Sequence, residues 1–149
     1  MVALLQRAGY TVYAPPNPLQ GLSYDSATLA DFLSTISGPI VLVGHSYGGM
    51  VITNVANGLP AGEAATLAAT QRPLATSALT DPSGVPAWKT IPSWDIIGTA
   101  DHVIPPAEQL FMAKRAGAHS TEIDAPHLSM ISDPGVVASV IEQAAQATD

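Results

Sequence analysis

Four consecutive large aliphatics, Ile40-Val41-Leu42-Val43, run straight into Gly44-His45-Ser46-Tyr47-Gly48-Gly49. This junction constrains the fold more than any other stretch. An unbroken aliphatic run of strand length fits a strand covered on both faces, as in a parallel sheet flanked by helices. The glycine-rich segment after the run fits G-x-S-x-G, the turn in which a strand reverses sharply into a helix and pushes one side chain outward. Positions two before and two after that serine pack closely, so a Cβ at Gly44 or Gly48 is expected to clash. Ser46 then stands at a helix N-terminus, where unpaired N–H groups favour developing negative charge. A phosphate-binding turn is the competing reading, but the spacing is not G-x-G-x-x-G and no lysine succeeds it.

The rest of the chain alternates in the same sense. A helix is predicted over residues 2–8, closed by Gly9. A strand over 11–14 stops at Pro15-Pro16. A helix over 23–37 carries Leu29, Phe32, Leu33 and Ile36 at helical spacing. After the 40–43 strand comes a helix from Ser46 to about residue 56. Residues 93–98 read as a strand, and Pro105 and Pro106 open a helix ending near Gly117. Residues 121–123 read as the last strand, and Asp133-Pro134 caps a final helix running to about residue 145. Strand and helix in alternation imply an α/β fold: a small parallel sheet of about four strands with helices on both faces. The chain has 149 residues, which suits a single domain. Residues 59–90, rich in small residues and holding a predicted helix at 61–70, form an insert within it.

Composition removes whole classes of chemistry. There is no cysteine, which excludes disulfides, thiolate catalysis and cysteine metal sites. A net charge of −7 argues against nucleic acid as a partner. The N-terminus lacks a signal-like pattern and no apolar stretch reaches the roughly 20 residues needed to span a bilayer. A cytoplasmic protein without a membrane partner is expected.

A serine hydroxyl needs a base. Among the histidines, His45 lies inside the turn and should point away, His102 comes after an acid on a loop, and His119 precedes the last strand, exposed. His127 lies just after that strand, at the sheet end where Ser46 also belongs, and is the best base. The third member must be an acid that orients the imidazole. Asp101, on the turn after the 93–98 strand, fits. Asp95 lies inside the strand and should face the wrong way; Asp124, three residues before His127, is the weaker rival. Ser46, Asp101 and His127 occur in that chain order, unlike the orders in chymotrypsin and subtilisin.

The turn, the segment Gly-Thr-Ala-Asp-His-Val-Ile-Pro-Pro and the segment Pro-His-Leu-Ser-Met-Ile-Ser-Asp-Pro resemble the α/β-fold hydrolases related to plant methylesterases and hydroxynitrile lyases. The opening Arg-Ala-Gly-Tyr-Thr-Val-Tyr-Ala-Pro-Pro-Asn-Pro resembles the helix and strand before the nucleophile in bacterial members. The resemblance implies Ser46, Asp101 and His127 as a triad, the Tyr47 backbone N–H as one oxyanion donor, small esters as substrates and no cofactor. The chain departs from this pattern in lacking the family's N-terminal strands, with the loop that supplies the second oxyanion donor, and most of its cap.

A compact serine carboxylesterase is therefore expected. The alternatives are a truncated relic acting as a binding module, and hydroxynitrile-lyase-like chemistry on the same site, which wants a nearby lysine; neither Lys89 nor Lys114 lies in a site motif. With a strand missing, the 11–14 and 40–43 strands are expected to become neighbours. That would bring Asn17, by its side-chain amide, to the second oxyanion position; the alternative is that Asn17 only begins a turn before Pro18. Exposed edges left by missing strands lead to an expected homo-oligomer, with residues 2–5 and 59–70 as candidate contact surfaces.

Overall fold

The computed structural model describes residues 1–55, 80, 82 and 84–147. The predicted helix at 61–70 and most of the 59–90 insert lie outside the described residues. The chain divides into two units, one formed by residues 1–10 and 88–147, the other by residues 11–87.

The first unit is built on a β-α-β crossover. Strand β1 (Trp94–Gly98) pairs in parallel with β2 (His119–Ile123), from Trp94 opposite His119 to Gly98 opposite Ile123. Helix α4 (Pro106–Ala116) connects them and ends on Gly117, whose left-handed φ of 65° suits a residue without a Cβ. A short helix α5 (Ser129–Ser132), not expected from sequence, precedes α6 (Pro134–Gln146). Asp133 caps α6 by accepting from the Val136 N–H at 3.3 Å, with Pro134 at the first helical position, as Asp-Pro predicts. The α6 face carrying Val137, Val140 and Ala144 is buried, and α6 packs on both β1 and α1 (Val2–Arg7). Leu5 of α1 is buried, which removes it from the proposed 2–5 contact surface.

Among its described residues, the second unit is helical where it is regular. Helix α2 (Leu22–Leu33) packs on α3 (Tyr47–Val55), and Leu22, Leu33 and Val51 form its core. α2 stops before the predicted residue 37 because Ser34 and Thr35 hydroxyls donate to the Asp31 and Phe32 carbonyls at 2.7 Å each, competing with continued helix.

The sheet is smaller than expected. Among the described residues it has two strands, β1 and β2. Residues 11–14 and 40–43 make no ladder bonds there, so the expected neighbouring pair is not formed. The reason is physical: β-propensity prepares a segment for a ladder, but a strand exists only when a partner supplies its hydrogen bonds. The apolar run still finds burial, since Ile40 and Leu42 pack on the α2–α3 core. No described helix is long and apolar enough to cross a membrane.

Candidate active site

Asp101 sits on the turn that leaves β1, its N–H donating to the Gly98 carbonyl at 3.1 Å. His127 lies in the segment after β2. Several bonds hold these two strand ends together. The Thr99 N–H and hydroxyl donate to the Ile123 carbonyl at 2.8 and 3.2 Å, and the Ala100 N–H donates to the Ala125 carbonyl at 3.3 Å. Gly98 permits this approach, because a Cβ there would stand 2.6 Å from the Ala125 carbonyl oxygen.

The result is a direct pairing. His127 Nδ1 lies 2.8 Å from Asp101 Oδ2. A carboxylate only accepts, so Nδ1 carries the proton and donates, which leaves Nε2 as the basic nitrogen. Asp101 is 6% exposed. Its Oδ1 accepts from the N–H groups of Val103 and Ile104 at 2.7 and 3.0 Å. Burial pushes the Asp101 carboxyl up. The His127 hydrogen bond, the Ile104 and Val103 N–H groups and the His127 charge outweigh burial and hold it at about 2, against an ordinary 3.8.

One participant had no sequence signal. Gln109 Nε2 donates to Asp101 Oδ2 at 2.8 Å and to the Ile104 carbonyl at 2.7 Å, while its Oε1 accepts from the Gly98 N–H at 3.3 Å. A glutamine in the first turns of a helix reads from sequence as a solvated residue, and only the fold turns it onto the acid.

The rival candidates stand apart from this pairing. Asp124, His102 and His119 are exposed. His119 belongs to β2 rather than the loop before it, and its ring stacks on Trp94 at 5.1 Å. Asp95 lies in β1 opposite Ser120, and burial raises its pKa.

The second unit holds Ser46. Its φ is +54°, a left-handed conformation that an L-residue adopts only when its surroundings impose it, at a cost of about 1 to 3 kcal/mol. The turn around it is tight: a Cβ on Gly44 would meet the Gly48 carbon and oxygen at 2.6 Å and the Gly49 nitrogen at 2.7 Å. Gly48 differs from expectation: a Cβ there meets nothing within 4 Å among the described residues. The close approach is between the Gly44 side of the turn and the Gly48 backbone, so only one of the two glycines is sterically required. Ser46 is exposed, and α3 starts directly after it at Tyr47.

A second buried acid ties this turn to the loop before α2. Asp25 is 1% exposed; Oδ2 accepts from the Tyr47 hydroxyl at 2.8 Å and Oδ1 from the Gln20 N–H at 3.0 Å. Its position in the first turn of α2 was the available signal, since acids there commonly bond back to the preceding backbone. Asn17 forms a turn of its own, Oδ1 accepting from the Leu19 N–H at 3.1 Å. Asn17, Gly44, His45 and Gly48 share the wall of one cavity of about 200 Å³.

The sequence profile of the alpha/beta hydrolase family matches residues 1–70 and 54–140. No curated protein matches significantly. Among solved structures, a novel pyrethroid hydrolase from Sphingobium faniae JZ-2 superposes with a TM-score of 0.74 at 20% identity, over 98% of this chain and 90% of that one. A PytH variant gives 0.69 at 19% identity, with the same 98% and 90% coverage. The likeness is one of fold.

Proposed function

Because the chain belongs to the alpha/beta hydrolase family, we propose that it is a carboxylic ester hydrolase using Ser46 as nucleophile, His127 as general base and Asp101 as the acid that orients it. The observation that carries this reading is the 2.8 Å contact of His127 Nδ1 with buried Asp101. A histidine so held has its second nitrogen committed to proton transfer, and the pairing serves no packing purpose that an apolar residue would not serve at lower cost. The strained backbone at Ser46 supports the same assignment, since strain of this kind collects at functional groups. That a protein of the same fold acts on pyrethroids supports ester cleavage as the reaction type.

In the proposed reaction, Ser46 Oγ attacks the acyl carbon while its proton passes to His127 Nε2. The tetrahedral intermediate collapses, the C–O bond to the alcohol breaks, and the imidazolium returns the proton to the leaving oxygen. Water then repeats the sequence on the acyl-serine, releasing the acid and restoring the serine. Asp101 stays ionised throughout and stabilises the imidazolium. The oxyanion is received by the Tyr47 backbone N–H and by the Asn17 side-chain amide, whose Oδ1 is already engaged with Leu19 and whose Nδ2 remains to donate. General-base catalysis needs Ser46 Oγ and His127 Nε2 within hydrogen-bond reach, about 3 Å, during turnover.

Release of nitrophenol from p-nitrophenyl acetate by purified protein, with Ser46→Ala as control, tests this. Saturable hydrolysis that disappears in Ser46→Ala is the expected result. Hydrolysis that persists unchanged in Ser46→Ala, or none by the parent protein, overturns it.

A further inference from the structure

The cavity of about 200 Å³ in the second unit has no part in the proton transfers between Ser46, His127 and the leaving group. Leu29 and Phe32 of α2, Val43 of the aliphatic run, and Val51 and Ile52 of α3 give it apolar walls. Gly44, His45 and Gly48 line it as well, so it borders the turn that carries Ser46. A Cβ on Gly48 would meet nothing within 4 Å among the described residues, so the turn is not closed off there. The remaining polar wall comes from Asn17, Asp25 and Thr28. Both Asp25 oxygens already accept hydrogen bonds, from Tyr47 and Gln20, and the Thr28 hydroxyl donates to the Tyr24 carbonyl at 2.9 Å.

We propose that this cavity is the acyl pocket of the hydrolase, selecting esters of uncharged, apolar acids of about six to eight carbons, straight-chain or single-ring. The inference rests on the ester-hydrolase reading. Its size follows from volume: an apolar cavity of about 150 Å³ holds one benzene ring, and this one is a third larger. Its polarity follows from the walls, which offer an acyl chain dispersion contacts and leave few unmet hydrogen bonds. Its preference for uncharged ligands follows from the lining, which includes the acid Asp25 and no lysine or arginine. An ester enters uncharged, but hydrolysis leaves a carboxylate, which finds no lysine or arginine there to pair with. The same pocket therefore holds the ester better than its product.

Two measurements test it independently. The first is the kcat/KM ratio of p-nitrophenyl hexanoate to acetate. Thr28→Phe, which fills the cavity, is expected to lower that ratio at least tenfold, and Leu29→Ala, which enlarges it, to move the preferred chain length upward. Ratios unchanged in both variants, each with a native circular dichroism spectrum, overturn the proposal. The second uses Ser46→Ala protein with labelled methyl groups. Hexanamide is expected to shift the Val51 and Ile52 methyl resonances saturably, and hexanoate at least tenfold more weakly. Hexanamide that leaves those methyls unmoved overturns the pocket, and equal binding of hexanoate overturns its preference for uncharged ligands. Saturable hexanamide binding in a protein without esterase activity would uphold the cavity and sink the ester-hydrolase reading, which separates the two failures.

Discussion

Ser46→Ala and His127→Ala are each expected to lower kcat/KM at least about a thousandfold, and the double variant little further, because nucleophile and base act as one unit. Additive losses in steady-state kinetics would separate their roles. Asp101→Asn should fold and yet lose about 10⁴ in kcat, since an amide there favours the wrong imidazole tautomer. Gln109→Leu is a milder probe. It removes one of the donors on Asp101 Oδ2 and the tie to the Ile104 carbonyl, so kcat should fall about tenfold with KM little changed. If KM alone rises, Gln109 serves substrate binding rather than the acid. Acid titration reads the same network. With the Asp101 carboxyl held at about 2 against 3.8, its contribution to stability is full above pH 3.8 and is lost as the pH falls towards 2. Urea midpoints measured against pH should show this loss in the parent protein and not in Asp101→Asn.

At the level of elements, the decisive contacts are backbone against backbone. Gly98→Ala places a methyl 2.6 Å from the Ala125 carbonyl and forces apart the strand ends that carry Asp101 and His127. A loss of about 1 to 3 kcal/mol is expected, together with a fall in kcat. Gly48→Ala is the contrasting case: open space and a helical position predict a stability unchanged or raised by up to about 1 kcal/mol. Thermal melts of the two variants decide it. If Gly48→Ala proves as damaging as Gly98→Ala, the turn is packed more tightly than its geometry indicates. The missing ladder at residues 11–14 and 40–43 belongs to this scale too. Both segments have strand composition, yet the unit stabilises itself by α2 on α3 and by aliphatics packed against that pair.

For the whole molecule, the proposed chemistry places its nucleophile on one unit and its base and acid on the other. An ester hydrolase built this way works only if both units are folded together, so we propose that they behave as a single domain. Loss of esterase activity and loss of near-ultraviolet circular dichroism should then coincide in one denaturant transition. Two separated transitions, with activity following the earlier one, would show independent units. Self-association is the companion proposal, resting on a sheet of two paired strands among the described residues and on exposed Leu110, Phe111 and Ile131. Light scattering at micromolar concentration should report a mass above the 15.3 kDa of one chain, and a sharp monomer would exclude it.

The residues that the sequence alone determined are those whose constraints are local. A serine flanked by Gly44 and Gly48 after an aliphatic run specifies a sharp turn into a helix, which α3 bears out from Tyr47, because few backbone paths make that turn. Asp101 and His127, each just after a strand, were legible as partners because parallel strands deliver their ends to one side. Caps such as Asp133 follow from neighbouring residues for the same reason. Tertiary structure decided what depends on groups far apart in the chain. Pairing of residues 11–14 and 40–43 needed a partner that propensity does not supply. Gln109, Asp25 and Gly98 owe their roles to Asp101, Tyr47 and Ala125, which lie beyond any local pattern. Packing alone showed that Gly44 needs its missing side chain while Gly48 does not, since a steric contact is a property of two surfaces and a motif names only one.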